Sequence, residues 1–227
     1  MESSSETRQG INARHREKGV RIIDPATTYI DEDVEIAGGV VIYPGAILEG
    51  ACKIEADAFI GPGAHLTDTQ VGPRARILSY SVLTQARVGA ETQIGPFAYL
   101  RPGAAIGEKC RIGNFVEVKN ASVGDNTNAA HLAYIGDATV GSKVNIGCGA
   151  ITANYDGRTK SRTVIGDNVF VGSNANLIAP LEIGAGAFVA AGSTIHKSMP
   201  PDSLGIARAR QEIKPDWEND PRKNAKN

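Results

Sequence analysis

The chain has 227 residues, 41% of them apolar and only 5% aromatic, with 26 glycines and a formal net charge of −1. That length is enough for one large domain or two small ones, and interspersed charges of both signs exclude a nucleic-acid-binding face or an anchor for acidic lipid. Few aromatic residues and many glycines point to a repeated plan, not to a core packed from large irregular side chains.

Three cysteines, Cys52, Cys110 and Cys148, without Cys-x-x-Cys spacing, argue against a disulfide framework or a structural zinc site and for a reducing compartment. No apolar run approaches the roughly 18 residues of a membrane span. The start, Met1-Glu2-Ser3-Ser4-Ser5-Glu6, has neither the basic nor the apolar region of a secretory signal. A cytoplasmic protein without membrane insertion is expected.

Residues 1–21 read as a polar lead-in, in which the charged run Arg8 to Lys18 is expected to form a short helix with little to bury and His15 to be solvated. From Ile22 a period takes over. Aliphatic residues fall on every sixth position at Ile36, Ile42, Leu48, Ile54, Ile60 and Leu66. The series resumes from Val82 through Val88, Ile94, Leu100, Ile106, Ile112 and Val118, and later runs from Ile165 through Val171, Leu177, Ile183, Val189 and Ile195. The step shortens by one residue at Leu66–Val71, Ile77–Val82, Val118–Val123 and Ile135–Val140.

Two positions before an aliphatic residue the side chain is usually small, as at Ala64, Ala98, Ala104, Cys110, Ala175, Ala187 and Ser193. Residues two apart on a strand share a face, so both point inward, and the Gly, Asn and Asp between them suit corners. Three such units make one triangular coil of about eighteen residues. Residues 22–198 then form about ten coils, roughly 45–50 Å tall at ordinary strand spacing. The pattern resembles the hexapeptide acyltransferases, and that resemblance implies an all-β, left-handed parallel β-helix with a short N-terminal helix and a C-terminal tail.

Between Thr152 and Ile165 the period fails, so the loop Asn154-Tyr155-Asp156-Gly157-Arg158-Thr159-Lys160 must leave the prism. Loops leaving a rigid solenoid are where binding groups are expected. After Ile195 the prolines Pro200 and Pro201 should end coil stacking, leaving 199–227 as a cap and tail that carries Trp217.

Polar and basic side chains gather around Arg101, Lys119, His131 and Lys160. The four histidines, at 15, 65, 131 and 196, are too scattered for a three-histidine zinc site, so no metal is expected. A flat-faced structural solenoid would not concentrate its polar residues. The cluster suits acyl transfer from a thioester to an amine on an anionic acceptor: a histidine base, oxyanion donors, and cations for phosphate.

Five stretches sharpen this: Ile112-Gly113-Asn114-Phe115-Val116-Glu117-Val118-Lys119, His131-Leu132-Ala133-Tyr134-Ile135-Gly136-Asp137-Ala138, Val144-Asn145-Ile146-Gly147, Asn154-Tyr155-Asp156-Gly157 and Val169-Phe170-Val171-Gly172-Ser173. From about Ile11 to Gln211 the chain resembles the acetyltransferase domain of the bacterial bifunctional N-acetylglucosamine-1-phosphate uridyltransferase/glucosamine-1-phosphate acetyltransferase.

That resemblance implies acetyl transfer from acetyl-CoA to the amine of glucosamine 1-phosphate, for UDP-N-acetylglucosamine and cell-wall precursor synthesis, by a homotrimer. It implies His131 as general base, with Glu117 supporting its protonated form. Arg101, Lys119, Tyr134, Asn145 and Lys160 would hold the sugar phosphate. Asn154 and Tyr155 would line the reacting centre, and Cys148, Ser173, Ala191 and Arg208 would contact acetyl-CoA; the family commonly has Ala where Cys148 stands. The family's uridyltransferase half is not seen before Ile11, so either a piece of a longer protein or a free-standing acetyltransferase is expected. Another amino-sugar acceptor, or a non-catalytic trimeric scaffold, stays open as an alternative.

Overall fold

The computed structural model describes residues 5–215, so Trp217 lies outside the described residues. Most of the chain is a parallel β-solenoid, each short strand pairing with its counterparts in the coils before and after. One inward column runs Ile22, Ile42, Ile60, Ile77, Ile94, Ile112, Ala129, Ile146, Val171, Val189 and Gly205, ten coil-to-coil steps in all. A 19-stranded sheet wraps two faces of the prism, and a 9-stranded sheet forms the third.

The inward aliphatic side chains are almost fully enclosed; Ile42, Leu48, Ile60, Leu66, Ile94, Leu100 and Ile112 have no exposed surface. Each contributes roughly 1.5–3 kcal/mol of burial. The small inward residues Ala64, Ala98, Ala104, Cys110, Ala175, Ala187 and Ser193 are buried as expected. At Thr92 the hydroxyl at this place ties adjacent coils: its Oγ1 donates to Gly107 O at 2.7 Å and accepts from Cys110 N at 2.9 Å.

Val82 is 38% exposed, and Leu83 takes the inward place with none of its surface exposed. The shortened steps therefore run Leu66–Val71, Leu83–Val88, Val118–Val123 and Ile135–Val140, all at the corner leading to the 9-stranded sheet. A five-residue step is read equally well on either side of a Val-Leu pair, and only stacking on Leu66 and Leu100 chooses Leu83.

The N-terminal helix, Ser5–Glu17, is not a bland lead-in. Ile11, Asn12 and His15 are buried against the first coils. Asn12 Nδ2 donates to the carbonyls of Pro25 and Thr28 at 3.0 and 3.2 Å. His15 is thus not solvated, and burial, with Lys18 and Arg14 nearby, lowers its pKa. The helix caps an end that would otherwise expose the aliphatic column.

Stacking also continues beyond the two prolines. Ile183 pairs with Met199, and the strand Leu204–Gly205 pairs in parallel with Phe188–Val189. Pro200 and Pro201 fall at a corner, where the missing N–H costs no ladder bond.

Candidate active site

The irregular stretch is built on two strands that do not stop at their corner. Arg111–Lys119 and Asn128–Gly136 are nine residues each, against two or three for the other strands of the solenoid. They pair along their length, Asn114 with His131, Glu117 with Tyr134 and Lys119 with Gly136. A side chain at Gly113 would collide with the backbone carbonyl of Ala130, so that place needs glycine, while one at Gly136 would meet the outer end of the Tyr134 side chain.

His131 lies exposed on the corner. Its Nδ1 is 2.8 Å from Asn114 Oδ1. Glu117, expected to support the imidazole, is engaged elsewhere: its Oε1 accepts from Arg101 Nη1 at 2.8 Å. The reason is register, since Glu117 pairs with Tyr134 and only Asn114 faces His131 one coil away.

His131 heads a row. Because Ala129, Ile146, Val171 and Val189 stack in register, the residues two positions further on, His131, Cys148, Ser173 and Ala191, follow one another down one edge in consecutive coils. All four are exposed. Arg208 is exposed just past the last coil of the same edge.

The cations stand on the face beyond this edge. Arg101 and Lys119 immediately follow Leu100 and Val118, which pair in successive coils. Lys119 is half-buried with its Nζ 3.9 Å from Asp137 Oδ2. Tyr134 sits in the outward row between Glu117 and Ile151. Asn145 is on the other side of the edge, in register with Asn128 and Phe170, so one prism does not bring it to Tyr134 and Lys119.

The loop departs after Ala153 and folds on itself through the antiparallel bridge Tyr155–Lys160. Asp156 accepts from the backbone N of Arg158 and Thr159 at 2.7 Å each, which holds its carboxyl below the ordinary range. Gly157 has φ +96°, a conformation only glycine adopts freely. Asn154 is buried at the base, while Tyr155 and Lys160 are exposed at the rim.

Three contributors carry no role in the sequence reading: Asn114, Asn120 and Asp137. Asp137 accepts hydrogen bonds from Nδ2 of Asn120 at 2.6 Å and from Nδ2 of Asn154. The available signal was positional, for Asn120 and Asp137 hold the same positive-φ corner in consecutive coils, with φ +45° and +46°. Among the described residues no three His, Cys, Asp or Glu side chains converge as metal ligands, and no helix is long and apolar enough to cross a membrane.

The corner carrying His131 has a further property. Tyr80, Phe97, Phe115 and Leu132 occupy its left-handed position in successive coils, with φ from +37° to +56°. All four are exposed, and the rings stack at 5.5 Å and 5.7 Å between centroids. Bulky residues are strained there, at a cost of order 1–3 kcal/mol each. By contrast, the outward row of the 9-stranded sheet is mostly polar, including Glu35, Lys53, Gln70, Arg87 and Ser122.

The family described as the GMPPB C-terminal domain matches residues 82–180. Bifunctional protein GlmU of Acetivibrio thermocellus is 51% identical over 210 residues, 92% of this chain and 45% of that protein. Bifunctional protein GlmU of Brevibacillus brevis is 49% identical over 226 residues, 99% of this chain and 49% of that protein. The chain thus spans about half the length of the curated relatives it matches. A solved UDP-N-acetylglucosamine acyltransferase from Bacteroides fragilis aligns with TM-score 0.48 and 17% identity, over 80% of this chain and 70% of that one.

Proposed function

We propose, for a chain homologous over nearly its whole length to part of the bifunctional GlmU proteins, that it transfers acetyl from acetyl-CoA to the 2-amino group of glucosamine 1-phosphate. The product is N-acetylglucosamine 1-phosphate, the precursor of UDP-N-acetylglucosamine. The observation that carries this reading is the exposed row His131, Cys148, Ser173 and Ala191, running beside the face that bears Arg101 and Lys119. A long thioester laid along the row brings its carbonyl to a histidine at one end and leaves its nucleotide end towards Arg208.

His131 takes a proton from the amine as the nitrogen attacks the thioester carbonyl carbon. The C–N bond forms, the tetrahedral intermediate collapses with cleavage of C–S, and the leaving thiolate takes up the proton held by the imidazole. General-base help of this kind is worth about 10²- to 10⁴-fold. Asn154 and Tyr155 line the reacting centre, while Arg101, Lys119, Tyr134, Asn145 and Lys160 receive the sugar phosphate.

A homotrimer completes the site in this reading. Asn145 reaches the phosphate face only from a second copy, and the stacked corner of Tyr80, Phe97, Phe115 and Leu132 gives that copy an apolar edge to pack on. Grooves between prisms also bury a long co-substrate better than one flat face.

The test is thiol release from acetyl-CoA with glucosamine 1-phosphate, set beside glucosamine, serine and nucleotide-linked amino sugars, together with light scattering. Selective turnover with glucosamine 1-phosphate by a trimer is expected. Turnover with none of these acceptors favours a scaffold, and an active monomer removes the trimer.

A further inference from the structure

Asp137 is buried, 8% exposed, beneath the groups that the acetyl-transfer reading needs. Its backbone is pinned on both sides: the N–H donates to Lys119 O at 3.0 Å, and its carbonyl accepts from Thr163 N at 3.2 Å. Its side chain accepts from the carboxamides of Asn120 and Asn154 and lies 3.9 Å from the Lys119 ammonium. Burial alone would raise the pKa of this carboxyl. The hydrogen bonds from Asn120 and Asn154 and the charges of Lys119 and Lys160 outweigh that and hold it below the ordinary value.

An ionised carboxylate has lone pairs and no proton to give. Both carboxamides must therefore turn their NH₂ groups towards Asp137, and both carbonyl oxygens must point elsewhere. For Asn154 this fixes which group is left over: Oδ1, an acceptor, takes no hydrogen bond from the described residues. An amine acceptor arriving at the reacting centre offers N–H donors, which such an oxygen can receive.

We propose that Asp137 is a positioning residue for the acetyl transfer, setting the orientation of the Asn154 carboxamide and the place of the Lys119 ammonium before substrate binds. It touches no substrate and acts through those two groups. The inference rests on the acetyl-transfer reading above.

Asp137→Asn tests it, because the replacement has the same shape but puts an NH₂ where one carboxylate oxygen stood. The substituted amide cannot accept from two NH₂ groups at those two places, so one carboxamide must turn or leave, and Lys119 loses its countercharge. In folded protein kcat should fall about 10- to 100-fold, the scale of a small misplacement at a reacting centre, and KM for the sugar phosphate should rise. In an Asn154→Ala background the same change should alter kcat by less than about twofold, because its route to the chemistry has gone. Wild-type kcat in Asp137→Asn, or effects of the two substitutions that multiply, would overturn the proposal. So would side-chain amide signals of Asn120 and Asn154 in ¹⁵N-labelled protein that Asp137→Asn leaves unshifted. If wild-type protein turns over no amino-sugar phosphate, the functional reading fails, and the amide spectrum alone decides whether Asp137 orients Asn154.

Discussion

Nδ1 of His131 lies 2.8 Å from Oδ1 of Asn114, its register partner one coil earlier. A carboxamide oxygen can only accept, so Nδ1 carries a proton, and in the neutral ring the lone pair is on Nε2. That is the tautomer a general base needs, fixed by a neutral neighbour. Asn114→Ala frees the ring and is expected to lower kcat about 10- to 100-fold with little change in sugar-phosphate KM. Steady-state kinetics check this, and an unchanged kcat contradicts the role given to Asn114.

Lys119 acts on a different parameter. A cation that holds phosphate contributes to ground and transition states alike, so Lys119→Ala should raise KM for glucosamine 1-phosphate, about 10-fold or more, with kcat much less affected. The same kinetics measure it. A kcat defect with normal KM would move Lys119 from binding into the chemistry.

Cys148 is exposed on the row below His131, whereas Cys52 and Cys110 are buried. Burial raises the pKa of both enclosed thiols, leaving little reactive thiolate. Alkylation of native protein should therefore label Cys148 alone, and coenzyme A should slow that labelling. Labelling of all three at one rate, or no protection by coenzyme A, contradicts the placement of the co-substrate along this edge.

Leu83 and Val82 are adjacent, yet only Leu83 faces the core. Leu83→Ala should cost about 2–5 kcal/mol of stability, by lost burial plus a cavity. Val82→Ala should stay within about 0.5 kcal/mol, as is usual for surface changes. Denaturant unfolding of the two variants measures the difference, and equal losses would contradict the assigned register.

Val82 and Leu83 mark how far the sequence could be read. A six-residue period names the inward side chains wherever the step is regular, which is why Ile36 to Leu66 and Ile165 to Ile195 fell in place. Where the step is five, the period alone cannot say which of Val82 and Leu83 turns inward; the coils above and below decide. His15 escaped for a related reason, because its burial depends on how the helix seats on the first coil and leaves no periodic trace in a polar segment. The site residues could be read one by one, but their partners could not. Asn114 meets His131 across 17 residues, and Asp137 meets Asn154 across 17. Coil lengths vary, so such pairings emerge only after every corner is located. The family resemblance named Glu117 beside His131, and register gave the contact to Asn114.

The central claim is that His131 is the base of an acetyl transfer, and the kinetics of His131→Ala with acetyl-CoA and glucosamine 1-phosphate test it most directly. The account predicts a folded trimer whose kcat is lower by about 10²- to 10⁴-fold, with the sugar-phosphate KM nearly unchanged. A folded His131→Ala trimer with near-normal kcat would contradict it.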